Sequence, residues 1–174
     1  KSIRDKQLKI VEFEHGLLVK DHPISATDEE NGVEVIFQPD ENMFGNYSYM
    51  SEYVDTMMKN YVYLNSGLVI NFNGNKFFSR NGLADLLNEN MSRGGLYPLI
   101  HLIGEDIEVA FTHDIQYGED YYSFVNGQNT TQGGTHLVAF KEALVRTIRD
   151  FYKKDYDPAD IRSSIIAAIS IKVE

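Results

Sequence analysis

The residues best suited to chemistry are Gly133, Gly134, Thr135 and His136, where two glycines lead into a long amphipathic stretch. Glycines open backbone angles barred to other residues, and bare N–H groups at a helix start can hold an anion such as phosphate. Thr135 is expected to cap that helix with its hydroxyl. The pattern is nevertheless neither a Walker loop nor a dinucleotide fingerprint, because it lacks the lysine of the first and the third glycine of the second. On residue chemistry alone it reads as a tight strand-to-helix turn.

Other catalytic constellations are thin. His15, His22, His101 and His113 have no metal-ligand spacing to a partner and read as surface or core histidines. The acidic runs at 28–30 and 105–106 sit in turn-like segments, where such residues are commonplace. There is no cysteine, and no serine stands in a nucleophile elbow. The chain is therefore expected to carry no catalytic residue, no cofactor-binding residue and no metal site of its own.

The helix expected at 135–154 carries an apolar stripe of Leu137, Phe140, Leu144, Ile148 and Phe151, flanked by Val138, Val145 and Tyr152. Its other side holds Lys141, Arg146, Arg149, Lys153 and Lys154. Arg146, Arg149 and Lys153 are spaced to share a face, which is either a solvated surface or a basic rim for nucleic acid. A net charge of −10 argues against a dedicated nucleic-acid binder unless the positive charges gather in one place.

The elements that must position these residues follow from periodicity. Alternation across 8–13 predicts a strand, 15–32 reads as an acidic connector, and 33–37 predicts a second strand stopped by Pro39. Helical spacing from Ser51 to Val62, with Gly67 as the stop, predicts a helix. Asn73-Gly74 between two apolar runs is the strongest hairpin signal. A short helix at 82–90 and a loop at 91–98 come next. Strands at 99–103, 107–112 and 121–125 precede the glycine loop. After the long helix, Pro158 starts a helical turn and the run from Ile165 closes as a buried strand. This order predicts an α+β fold with a late strand–helix–strand unit. A chain of 174 residues can bury roughly 70% of its unfolded surface, enough for a core of its own. Apolar runs reach only five residues, so no membrane-spanning segment is expected, and the absence of cysteine suits a cytoplasmic protein. Lys1 and Glu174 both read as cuts inside something longer.

Several stretches together resemble one family. "NGVEVIFQPDENMF", "YVYLNSGLVINF", "YSFVNGQNTTQGGTHLVAFKEALVRTI" and "DIRSSIIAAISIKV" are similar, in order, to segments of the ATPase region of bacterial type IIA topoisomerases, the group formed by the B subunits of DNA gyrase and topoisomerase IV. The run "NTTQGGTH" and the pair Ser163-Ser164 resemble the topoisomerase IV protein more than the gyrase one. The resemblance implies that 1–44 are the last strands of a GHKL-type ATPase domain and 45–174 a transducer domain. That domain has the fold of ribosomal protein S5 domain 2, with a left-handed βαβ crossover where general rules would give a right-handed one.

It further implies an energy-transducing role, relaying ATP binding and hydrolysis to gate closure and DNA strand passage. ATP and magnesium would serve the full-length protein. The family's nucleotide contacts lie before Lys1 and in a Gln-Thr-Lys loop after Glu174, so this chain alone is expected to be inactive. Partners implied are DNA, the A subunit of gyrase or topoisomerase IV, and a second copy of the same protein. Gly133, Gly134, Thr135 and His136 become architecture, and Arg146, Arg149 and Lys153 become candidates to face DNA. Ser164 stands where the family commonly has glycine, which suggests a negative φ there. A small-molecule kinase of related fold and a stand-alone interaction domain are the alternatives.

Overall fold

A computed structural model of the chain describes residues 1–91, 94–115 and 117–173. The expected loop at 91–98 therefore lies partly, and Glu174 wholly, outside the described residues. The chain divides into two compact units, Lys1–Met50 and Ser51–Glu174.

The first unit is a set of short strands: β1 (Ser2–Arg4), β2 (Gln7–Lys9), β3 (Val11–Glu14), β4 (Leu17–Asp21), β5 (Ser25–Ala26) and β6 (Gly32–Val33), followed by the single turn α1 (Glu41–Phe44). One sheet has the order β5-β2-β1-β6, and β3 pairs with β4 as a separate hairpin. The expected strand at 8–13 is two strands, and the phase slip between Ile10 and Val11 marks the break between them. The expected connector at 15–32 instead contains β4 and β5. Its hairpin turns at His15 and Gly16, both at positive φ, a pairing less telling in sequence than Asn-Gly. The expected strand at 33–37 shrinks to Gly32–Val33. Its ladder to β1 pairs Ser2 with Val33 and Ile3 with Gly32, and it finishes with the Glu34 N–H on the Lys1 carbonyl.

The second unit is built more fully. It starts with α2 (Ser51–Leu64), then the hairpin β7 (Val69–Phe72) and β8 (Asn75–Phe78), then α3 (Leu83–Asn90). Asn73 at φ 48° and Gly74 at φ 84° make the left-handed turn that the Asn-Gly signal predicts. Five strands follow: β9 (Ile100–Ile103), β10 (Ile107–His113), β11 (Asp120–Val125), β12 (Gln128–Asn129) and, after α4 (Thr135–Tyr152) and α5 (Pro158–Arg162), β13 (Ile165–Ile171). They form one sheet in the order β12-β11-β13-β10-β9. β13 runs parallel to β11 and antiparallel to β10, so the late strand–helix–strand unit is present with its two strands side by side.

β13 is central, and Ile165 through Ile169 are each at most 4% exposed. Alternate residues serve opposite faces. Ala110, Phe124, Ile166 and Ala168 pack with Leu83, Leu86, Leu87 and Val62 from α3 and α2. Val109, Ile165, Ala167 and Ile169 pack with Leu137, Phe140 and Leu144 of α4. A sheet covered on both faces accounts for the unbroken apolar run in β13.

Candidate functional site

The turn into α4 is built from the glycines upward. Gly133 has φ 75°, a left-handed conformation that favours glycine. Gly134 is extended, and it rather than Thr135 occupies the capping position; no side chain caps the helix. The expected Thr135 cap is thus corrected, because Thr135 is already the first helical residue. The Gly134 carbonyl accepts the N–H groups of Leu137 and Val138. A side chain on Gly134 would meet the His136 ring at 2.8 Å, so its bareness leaves room for that ring. His136 Nε2 lies 2.6 Å from Ser123 Oγ and 3.5 Å from Thr130 Oγ1, and Ser123 is 2% exposed. His136 thus ties the helix start to β11, and Gly133 and Gly134 form the turn that leads into it.

Along α4 the expected apolar stripe holds at Leu137, Phe140, Leu144 and Ile148 but fails at Phe151, which is 77% exposed. Phe151 stands in the last turn of the helix and packs edge-on against Tyr152 instead of the sheet. The basic residues divide by environment. Arg146 is exposed, and among the described residues its ion-pair partner is Asp150, at 3.7 Å on the same helix. Arg149 instead donates from Nε and Nη2 to the Tyr156 carbonyl, at 2.8 and 2.6 Å, and pairs with Asp155. Lys153 ends the helix in a left-handed conformation, where a cation suits the negative end of the dipole. An apolar-floored groove of about 590 Å³ runs beside these residues, with Val138, Val145 and Pro158 in its lining and Arg146, Arg149 and Arg162 around them.

A carboxylate missed by sequence reasoning sits at the foot of β11. Glu119 accepts hydrogen bonds from Tyr121 Oη at 2.9 Å and Arg162 Nε at 3.0 Å, and Lys141 Nζ lies 3.1 Å away. Lys141 also sits 4.0 Å from the centre of the Tyr121 ring. Partial burial opposes the charge on Glu119, but the Tyr121, Lys141 and Arg162 contacts outweigh it and hold the pKa below the ordinary glutamate value. Burial, and then the Glu119 carboxylate, push the Tyr121 phenol upward. Nothing in the spacing of residues 119, 141 and 162 signals their meeting.

Each of the four histidines read as surface or core has a hydrogen-bonding partner. His101 pairs with Glu108, whose Oε1 also accepts the Leu83 N–H and so caps α3 from a neighbouring strand. His113 joins Tyr97 Oη to the Ile161 carbonyl, His22 meets Glu12, and His15 meets Asp40. Ser164 overturns an expectation: its φ is +67°, so serine occupies the same left-handed turn that a glycine would. Two backbone bonds hold it there, Ser164 N–H to the Gly118 carbonyl at 2.7 Å and Asp114 N–H to the Ser164 carbonyl at 2.8 Å. Among the described residues, no three His, Cys, Asp or Glu side chains cluster as metal ligands, and no helix is long and apolar enough to cross a membrane.

A sequence model described as DNA gyrase B matches residues 50–174, the whole of the second unit and nearly three quarters of the chain. The chain belongs to the DNA gyrase B family. A relative in Borreliella burgdorferi, the B subunit of DNA topoisomerase 4, is 41% identical over 163 residues, covering 93% of this chain and 27% of that protein. The DNA gyrase B protein of Helicobacter pylori strain J99 is 29% identical, over 98% of this chain and 25% of the relative. The chain thus spans about a quarter of the length of these gyrase B family relatives. In three dimensions it matches the 43K ATPase domain of Thermus thermophilus gyrase B with TM-score 0.82 and 23% identity, over 99% of this chain and 54% of that one. The ATPase region of Saccharomyces cerevisiae topoisomerase II matches with TM-score 0.68 and 19% identity, over 95% and 44%. At these identities the likeness establishes a shared mixed α and β fold.

Proposed function

We propose that this chain is the energy-transducing part of an ATP-dependent type II DNA topoisomerase, of the kind found in the B protein of topoisomerase IV, relaying ATP binding and hydrolysis to gate closure and strand passage. The observation that carries the reading is the agreement between the family match at 50–174 and a compact unit beginning at Ser51. Residues 45–174 are the transducer, with the family's left-handed crossover between β11 and β13, and 1–44 are the closing strands of a GHKL-type ATPase domain. The exposed apolar side chains of the first unit, among them Phe13 and Leu17 on the β3–β4 hairpin and Val35, Ile36 and Phe37 after β6, support the second assignment, because apolar surface so uncovered suits a place in a larger sheet layer. The topoisomerase IV preference leans on the 41% relative.

In this reading ATP and magnesium act in the full-length cytoplasmic protein, which works as a homodimer with DNA and the A subunit of the enzyme, and this chain alone is inactive. Gly133, Gly134, Thr135 and His136 anchor α4 and do not hold phosphate. Arg146 and Lys153 supply most of the transient attraction to a passing duplex, while Arg149 contributes what Tyr156 and Asp155 leave free. The test is calorimetric titration of this chain with a magnesium–ATP analogue, beside a version extended at both ends. Heat from the long version alone is the expected result. Micromolar binding by the short chain overturns the proposal in favour of the kinase-like alternative, and silence from both favours a stand-alone interaction domain.

A further inference from the structure

The crossover from β11 to β13 is fastened to the sheet by two kinds of contact. Beneath α4 the apolar contacts of Leu137, Phe140 and Leu144 are only half-buried, and Val145 is the one residue of that helix below a tenth exposure. Apolar packing of this kind has no direction, and packed helices slide over one another by small shear steps. Directional contacts hold α4 at three places. His136 ties its start to Ser123 and Thr130, Arg149 ties its end to Tyr156, and Glu119 ties its middle.

The middle tie differs from the other two in what it joins. Glu119 stands one residue before β11, and its carboxylate takes Lys141 from α4 and Arg162 from α5 together with the Tyr121 hydroxyl. One residue earlier the Gly118 carbonyl accepts the N–H of Ser164, which leads directly into β13. Two consecutive residues therefore touch both helices of the crossover and the starts of both its strands. The charged groups facing this carboxylate are Lys141 and Arg162, and neither side chain is more than about a third exposed.

We infer that Glu119 is a positioning residue that makes α4, α5 and the β11–β13 pair move as one body, so that a displacement of the helix reaches the sheet instead of dissipating as slide. This rests on the transducing role proposed above. The test uses the full-length protein assembled with its enzyme partner and reads strand-passage events per ATP hydrolysed. Glu119→Gln preserves shape and removes the charge. Its ATP turnover is expected to stay within two-fold of wild type while strand passage per ATP falls at least five-fold, and Glu119→Asp restores much of the ratio. An unchanged ratio in a Glu119→Gln protein that merely melts earlier overturns the inference and leaves the transducing role standing. Wild-type protein that hydrolyses no ATP and passes no strands removes the role itself. Should Glu119→Gln fail to fold, Lys141→Met cuts the α4 arm alone and is read by the same two outcomes.

Discussion

The two units of this chain are both rich in strands, yet only one has a core. Within Lys1–Met50 the single apolar side chain below a tenth exposure is Ile3, whereas Ser51–Glu174 buries sixteen others among its described residues, from Val62 to Ile169. The first unit has its ladders all the same, because a two-residue turn such as His15-Gly16 brings β3 and β4 together locally. Backbone pairing is thus set by turns over a few residues, while burial needs a second layer on the sheet. In the second unit α3 and α4 supply those layers on opposite faces of β13.

The sharpest break of this contrast is a pair of truncations. Leu87 is 0% exposed on the inner face of α3, and Leu87→Ala costs about 2–5 kcal/mol by transfer and cavity terms. Ile36, 87% exposed, changes stability by no more than about 0.5 kcal/mol on Ile36→Ala. Equal losses in urea denaturation would show that the first unit hides a core after all.

A smaller effect is expected at Gly95. A side chain there would lie 2.7 Å from Thr112 Cγ2 and 2.9 Å from the Tyr97 carbonyl, so Gly95→Ala costs about 1–3 kcal/mol by overpacking. Gly32 has open space at the same distance and tolerates alanine far better. A thermal melt of both variants decides the point, and a neutral Gly95→Ala would mean that the loop yields.

Legibility in the sequence follows the same division. The Asn73-Gly74 hairpin, α2, α4 and the buried β13 could all be read because each is specified by its own period or turn. The short strands β4, β5 and β12 could not, since their two to five residues carry no period of their own. At the site, the four residues that open α4 were legible as a loop, but the cap was misplaced by one residue. Glu119 was invisible because residues 119, 141 and 162 meet only through the crossover. Ser164 was misread for a different reason. A residue's type states a preference for φ, and here two backbone hydrogen bonds outweigh it.

That conflict gives the next prediction. Left-handed backbone costs an ordinary L-residue roughly 1–2 kcal/mol, so Ser164→Gly should stabilise the second unit by up to about 1 kcal/mol after glycine's greater freedom when unfolded is subtracted. Differential scanning calorimetry should show a higher melting temperature; a lower one would mean that the serine side chain contributes more than its strain costs.

The smallest effect is pH-dependent. The pKa of Glu119 is depressed in the folded chain, so its contribution is present above the ordinary glutamate value of 4.5 and is lost as pH falls through the lower folded value. Wild type should therefore exceed Glu119→Gln by about 1 kcal/mol at neutral pH, and the two curves should converge in acid below 4.5. A gap that persists at about pH 3 would assign the difference to shape and not to charge.

The position of β13 has one more consequence. It separates β10 from β11, yet it is the last strand of the unit in chain order. A ribosome delivers β10 and β11 well before the strand that joins them, so both wait with open edges and uncovered apolar faces. The second unit cannot close its sheet until β13 has left the exit tunnel. Folding of the unit is therefore a nearly all-or-none event that waits for β13, and a ribosome stalled before Ile165 holds a chain that is exposed to aggregation.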